Sequence, residues 1–124
     1  MHKEESQTEF GQIQIHNNVI TSVSAIAAMD VSGVKRIGSL RGISLLTLFS
    51  QKDYSTIKVK KDKHDEFSIN IPIIVKYGFN IPDTANKVQE NVRYALEKTA
   101  GLIIKEINVI VQTVERDLEL SSAS

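Results

Sequence analysis

From Phe67 to Tyr77 the chain alternates, with Phe67, Ile69, Ile71, Ile73, Val75 and Tyr77 apolar and Ser68, Asn70 and Lys76 polar between them. Side chains two apart on a strand share a face. The pattern predicts one long strand with buried odd positions and wet even ones. Pro72 falls on the wet parity and removes a ladder donor, which predicts a sheet edge or a bulge there. Gly78 breaks the strand. Shorter strands are predicted around Ile13 and Ile15 next to Phe10, and at Ile57 and Val59, which alternate with Lys58 and Lys60. In 102–114, Ile103, Ile107, Val109 and Val111 share one parity.

A period of three and four replaces the period of two in 18–30, where Val19, Ile20, Val23, Ile26 and Ala27 form one apolar stripe. Asn17 or Asn18 is placed to cap this helix, and Ser32-Gly33 to end it, with Gly33 free to take a positive φ. Pro82 and Asp83 open a second helix, with Ala85, Val88, Val92, Leu96 and Thr99 as its buried stripe, Lys98 in the last turn and Gly101 as the stop. Between the two halves, Gly38 to Gly42 reads as a flexible loop, Leu45 to Phe49 as a short strand and Lys61 to Glu66 as a charged turn. Together these elements predict an α+β fold: a two-layer sandwich, with a mainly antiparallel sheet of four or five strands covered on one face by two helices. Residues 1–9 are expected to be a disordered lead-in, 10–114 a single domain and 115–124 a flexible tail.

With 124 residues, 41% hydrophobic and 24% charged, the composition is that of one globular domain. Lys and Arg total 15, as do Asp and Glu, which argues against a domain whose main task is coating nucleic acid. No cysteine is present, so disulfides, thiolate metal sites and a cysteine nucleophile are excluded. No apolar run approaches the roughly 20 residues that span a bilayer, and Met1 to Phe10 is too polar for a secretory signal. A cytoplasmic protein is expected, held at a membrane only through something else.

His2, His16 and His64 lack ligand spacing. Asp62, Asp65 and Glu66 interleave with Lys60, Lys61 and Lys63 as a solvated turn would. Gly38-Ser-Leu-Arg-Gly42 matches neither phosphate-binding glycine pattern and is one residue too long for a KH-type clamp. No catalytic residue, cofactor or metal is therefore expected, and the chain is read as a non-enzyme. Arg41, Lys58 and Lys60, in the locally basic 35–63 segment, are candidate anion contacts. They support an alternative reading as a nucleic-acid-binding regulatory module, although no aromatic pair is interleaved to stack bases. On the sheet parity opposite the core, Ile74, Ile104, Ile110 and Val114 form a candidate interface, unless the termini or the 38–50 segment cover that face.

The pattern Gly11-x-Ile13-x-Ile15, Val19-Ile20, Ile26-Ala27-Ala28 and Val31-Ser-Gly33-Val34 resembles the first half of the bacterial alkaline shock protein family, also called the general stress or envelope stress response family. The second half is similar through Ile73 to Gly78, Ile81-Pro82, Val88-Gln89, Val92, Thr99-Ala-Gly101 and Ile107-Asn108-Val109, so that the likeness covers about residues 10–114. The segment from Lys35 to Lys63 and the proline at 72 depart from the family pattern. The resemblance implies a small non-enzymatic protein, cytoplasmic, with some members gathered at the inner membrane face through a membrane-anchored partner. It also implies a link to cell-envelope stress and, in some members, to control of fatty-acid synthesis. No catalytic residues come with it. The expected function is a protein-interaction module acting as a homo-oligomer and by docking to a membrane-anchored or regulatory partner.

Overall fold

The computed structural model describes residues 4–38 and 56–116. Its elements are β1 (Glu4–Thr8), β2 (Gly11–Ile15), α1 (Asn17–Met29), β3 (Val34–Ile37), β4 (Lys58–Lys61), β5 (Phe67–Lys76), α2 (Ile81–Ala95) with a following π-helical turn (Leu96–Ala100), and β6 (Ile104–Glu115). The segment expected as a strand at Leu45 to Phe49 lies outside the described residues.

β5 is the spine of a four-stranded, mainly antiparallel sheet. β6 runs parallel to it along its whole length, as the α2 crossover between them requires. A strand has two edges, so β3 and β4 divide the other one. β3 pairs with Ile73 to Val75 and β4 with Phe67 to Asn70, both antiparallel. Pro72 sits where that edge is handed from one strand to the other. Its carbonyl accepts from Gly38 N–H at 2.8 Å, so the absent proline N–H would have pointed to the same side. The missing donor thus falls at the break in the flanking strand, and the ladder with β6 is untouched. Pro72 is tolerated in a central strand because one neighbour is interrupted there.

Phe67, Ile69, Ile71, Ile73 and Val75 are buried and meet Ile20, Ala25 and Ala28 of α1 and Val88, Val92 and Leu96 of α2 in one core. At roughly 1.5–3 kcal/mol per buried large side chain, this shared layer is the main force holding both helices to one face. The odd positions of β5 are as the alternation predicts, but Tyr77 lies past the strand end and is exposed. The even positions differ from expectation: Ser68, Asn70 and Lys76 are half-buried, while Pro72 and Ile74 are buried, Ile74 at 3% exposure.

α1 packs through a stripe that only partly matches the expected one: Ile20 and Ala27 turn inward, with Val23 packed at the margin. Ile20, Ser24, Ala25, Ala27 and Ala28 are buried, whereas Val19 and Ile26 are 47% and 68% exposed. Small residues let the helix axis approach the sheet closely, and the Ser24 hydroxyl is satisfied by donating to Ile20 O at 2.8 Å. Its cap position is His16, without a side-chain cap bond; Asn17 and Asn18 lie inside the first turn. α2 follows its sequence signals closely except at Thr99, which is exposed because the π turn over 96–100 shifts the helical period there. Asn80 Oδ1 accepts from Asp83 N–H at 2.8 Å, Pro82 occupies the first turn, and Gly101 closes the π turn at φ 68°.

Residues expected to lead in without structure supply β1, which pairs with β2 as a separate two-stranded hairpin. At its base Ile15 packs on the core.

Candidate interaction surfaces

The outer face of the sheet is built in rows across β3/β4, β5 and β6. Lys60, Ser68 and Glu106 form one row and Lys58, Asn70 and Asn108 the next. Arg36, Ile74 and Thr113 form a row towards the other end. Asn108 Nδ2 donates to Asn70 Oδ1 at 2.8 Å, and Arg36 pairs with Glu115 at 2.8 Å. Lys58 and Lys60, two of the candidate anion contacts, are exposed side by side on this face, beside Lys105 but also beside Asp62 and Glu106 in the same shallow depression. Alternating sign makes a poor phosphate track. Arg41 lies outside the described residues.

The candidate interface set does not share one face. Two bulges in β6 shift the parity: Phe67 faces Ile104 but Ser68 faces Glu106, leaving Lys105 as an extra residue, and Gln112 is extra between Val111 and Thr113. Ile104 therefore turns into the core and Val114 packs against it, together with Ile107, Val109 and Val111. Ile103, expected inside, is exposed. Ile110 is outward and 47% exposed, in register with Pro72. Ile74 is outward by parity and buried. A third bulge, at Lys35 in β3, directs that ammonium to Arg116 O at 2.9 Å.

The charged turn 61–66 is more ordered than a solvated loop. Asp62 Oδ1 accepts from His64 N–H at 2.8 Å and Glu66 N–H at 3.0 Å, Lys105 Nζ lies 3.6 Å from Oδ2, and Asp65 holds φ 63°. The Glu66 N–H bond, followed by the His64 N–H bond and the Lys105 and His64 charges, holds the Asp62 carboxyl below its usual value of 3.8 against the opposing effect of desolvation. A depressed folded-state value means that Asp62 stabilises the fold above the unfolded value and ceases to do so as pH falls through the folded one. Asp62→Asn is expected to flatten the acid limb of a stability–pH curve from urea titrations between about pH 5 and pH 2. An acid limb unchanged by the substitution would remove Asp62 as its source.

On the helix layer, a groove of about 610 Å³ runs between the C-terminal end of α1 and the N-terminal half of α2. Asp30, Gly33, Phe79, Thr84, Glu90 and Tyr94 are among its lining residues. Gly33 is at its base because of space, not of φ: a Cβ there would lie 2.6 Å from Thr84 Oγ1 and 2.9 Å from Phe79 Cδ2. Among the described residues, no group of three or more His, Cys, Asp or Glu side chains is placed to hold a metal. No helix among them is long and apolar enough to cross a membrane.

Residues 5–116 match the pattern of the alkaline shock protein 23 family, whose function is cell envelope-related. The chain belongs to that family. It is 33% identical over 112 residues to the uncharacterized protein YloU of Bacillus subtilis, covering 89% of this chain and 93% of that protein. It is 31% identical over 111 residues to the uncharacterized protein YqhY of the same organism, covering 89% and 82%. Neither the family description nor these names carries an enzymatic activity. Among solved structures, one variant of the MamM CTD matches at TM-score 0.50 and 14% identity, over 79% of this chain and 98% of that one, a likeness of fold.

Proposed function

We propose that this protein is a non-enzymatic interaction module of the cell envelope response, acting by self-association and by docking to a membrane-anchored or regulatory partner from the cytoplasmic side. The family match over nearly the whole described chain carries this reading. Exposed apolar side chains on both layers support it: Ile110 on the sheet, and Val19, Ile26 and Met29 on α1. Side chains of this size left in water at spaced positions are available to a partner. Ile110 is the outer-face contact, flanked by the polar rows described above, and as the one large isoleucine exposed on that face among the described residues it suits a weak, concentration-dependent assembly.

Sedimentation velocity over a concentration series tests the reading. The apparent mass is expected to rise with concentration and to be little changed by salt. Ile110→Lys is expected to lower it while leaving the far-ultraviolet circular dichroism intact. A chain that stays monomeric at high concentration would end the self-association reading. Binding of a labelled RNA whose affinity falls steeply with salt would replace it with the nucleic-acid reading.

A further inference from the structure

The groove on the helix layer has a chemistry that the outer sheet face lacks. Three carboxylates, Asp30, Asp83 and Glu90, line it against one ammonium, Lys87, and that lysine is already engaged with Asp83 at 3.3 Å. Asp30 and Glu90 have no ion-pair partner among the described residues. The C-terminal end of α1 adds partial negative charge, and no basic residue in its last turn offsets it. Thr84, 4% exposed, lines the groove with a hydroxyl that has no hydrogen-bond partner among the described residues. A buried hydroxyl in that state is costly unless water or a ligand in the groove satisfies it. Two aromatic rings, Phe79 and Tyr94, are exposed at the rim, Tyr94 at 62%.

Acceptors beside exposed aromatic rings suit a planar guanidinium, which donates in a fork and stacks on rings, in competition at Tyr94 with the Lys98 ammonium 5.9 Å from the ring centroid. The volume is in the range of small ligand sites, about 300–1,000 Å³. The chain's own described arginines are committed elsewhere. Arg36 pairs with Glu115, Arg93 donates to Ile104 O at 2.7 Å, and Arg116 stacks 4.4 Å over Tyr77. We propose that the groove between the C-terminal end of α1 and α2 docks an arginine-bearing segment of a partner protein, with Asp30 and Glu90 as the acceptors and Phe79 and Tyr94 as the stacking faces. This rests on the interaction-module reading and names the chemistry of the partner. Basic segments are common beside the cytoplasmic ends of membrane spans, which makes the two readings compatible.

The test is an amide-resolved NMR titration of the full chain with the peptide Gly-Gly-Arg-Gly-Arg-Gly-Gly at about 0.05 M salt, with lysine and glutamate versions as controls. The expected result is saturable shifts confined to residues 30–33 and 79–94, weaker binding of the lysine peptide and none of the glutamate one. The double variant Asp30→Asn, Glu90→Gln, both at exposed positions, is expected to weaken the arginine peptide by roughly tenfold. The proposal is overturned if no shifts occur, if they spread to the 58–62 and 105–108 surface, or if the double variant binds as well as the wild type. Changes at 30–33 in Arg41→Ala without peptide would also overturn it, assigning the groove to the chain's own arginine. Shifts there on raising protein concentration alone would assign it to a second copy. Sedimentation separates the two levels: self-association without peptide binding ends the groove proposal and leaves the module reading standing.

Discussion

Ile71→Ala is expected to lower the unfolding free energy by about 2–5 kcal/mol, read as a fall in the urea midpoint at unchanged slope. Ile71 has no exposed surface, sits at the middle of β5, and is held in the layer that both helices share. The cost of such a change is the lost transfer energy plus a cavity term, and the cavity persists where neighbours cannot collapse into it. Here the neighbours are β-branched side chains on paired strands and helix residues already in contact, so little relaxation is available. Ile26→Ala is the matched contrast. It deletes the same atoms from a position that is mostly in water, and the change should fall within about 0.5 kcal/mol. Equal costs at the two sites would mean that the helix layer is docked in another rotation.

The contrast also shows where the sequence was readable. The alternation in β5 was legible because every odd position is large and apolar and a strand has only two faces. α2 was legible through local chemistry: the Asn80 and Pro82 start, the Val88, Val92 and Leu96 stripe, and Gly101. α1 departs from its pattern at Val19 and Ile26, because hydrophobic size marks the buried face only when large residues fill the interface. Here Ala25, Ala27, Ala28 and Ser24 fill it, and Val19 and Ile26 are left outside. β6 lies as its alternation predicts between the bulges, with Ile107, Val109 and Val111 inward and Ile110 outward, and departs from it at both ends, because Lys105 and Gln112 are bulged by tertiary pairing that leaves no mark in the period. The bulge at Lys105 accounts for Ile104, and the bulge at Gln112 turns Val114 to the core and removes it from the expected interface.

The candidate surfaces were legible in proportion to how local they are. Ile110 follows from parity between the two bulges and keeps its outward position. The groove could not be read, because Asp30, Phe79, Glu90 and Tyr94 come from separate segments and are brought together only by the packing of α1 on α2. One signal is present. Gly33 is a helix stop free to take a positive φ, and its φ lies outside that region. The glycine is there for close approach, a requirement that the sequence around 33 cannot distinguish from a turn.

That distinction has a measurable consequence. Gly33→Ala sets two effects against each other. Alanine restricts the unfolded chain, which alone would stabilise by about 0.4–1 kcal/mol. A Cβ at 33, however, would stand 2.6 Å from Thr84 Oγ1, 2.9 Å from Thr84 Cγ2 and 2.9 Å from Phe79 Cδ2, all closer than such atoms pack. Phe79 is at the surface and can swing away. Thr84 is a buried, β-branched residue on α2 and cannot rotate freely, so the helix must shift. Overpacking of this kind costs about 1–3 kcal/mol, and the expected net is destabilisation. Thr84→Ala removes two of the three close contacts along with a hydroxyl that has no partner among the described residues, so the two substitutions should couple. In a double-mutant cycle by urea unfolding, Gly33→Ala should be less damaging on the Thr84→Ala background, with a coupling of about 1 kcal/mol or more. A Gly33→Ala protein more stable than the wild type, or a cycle with no coupling, would show that α2 does not press on the β3 entrance at this point. The groove would then lack the floor that places Thr84 beneath it.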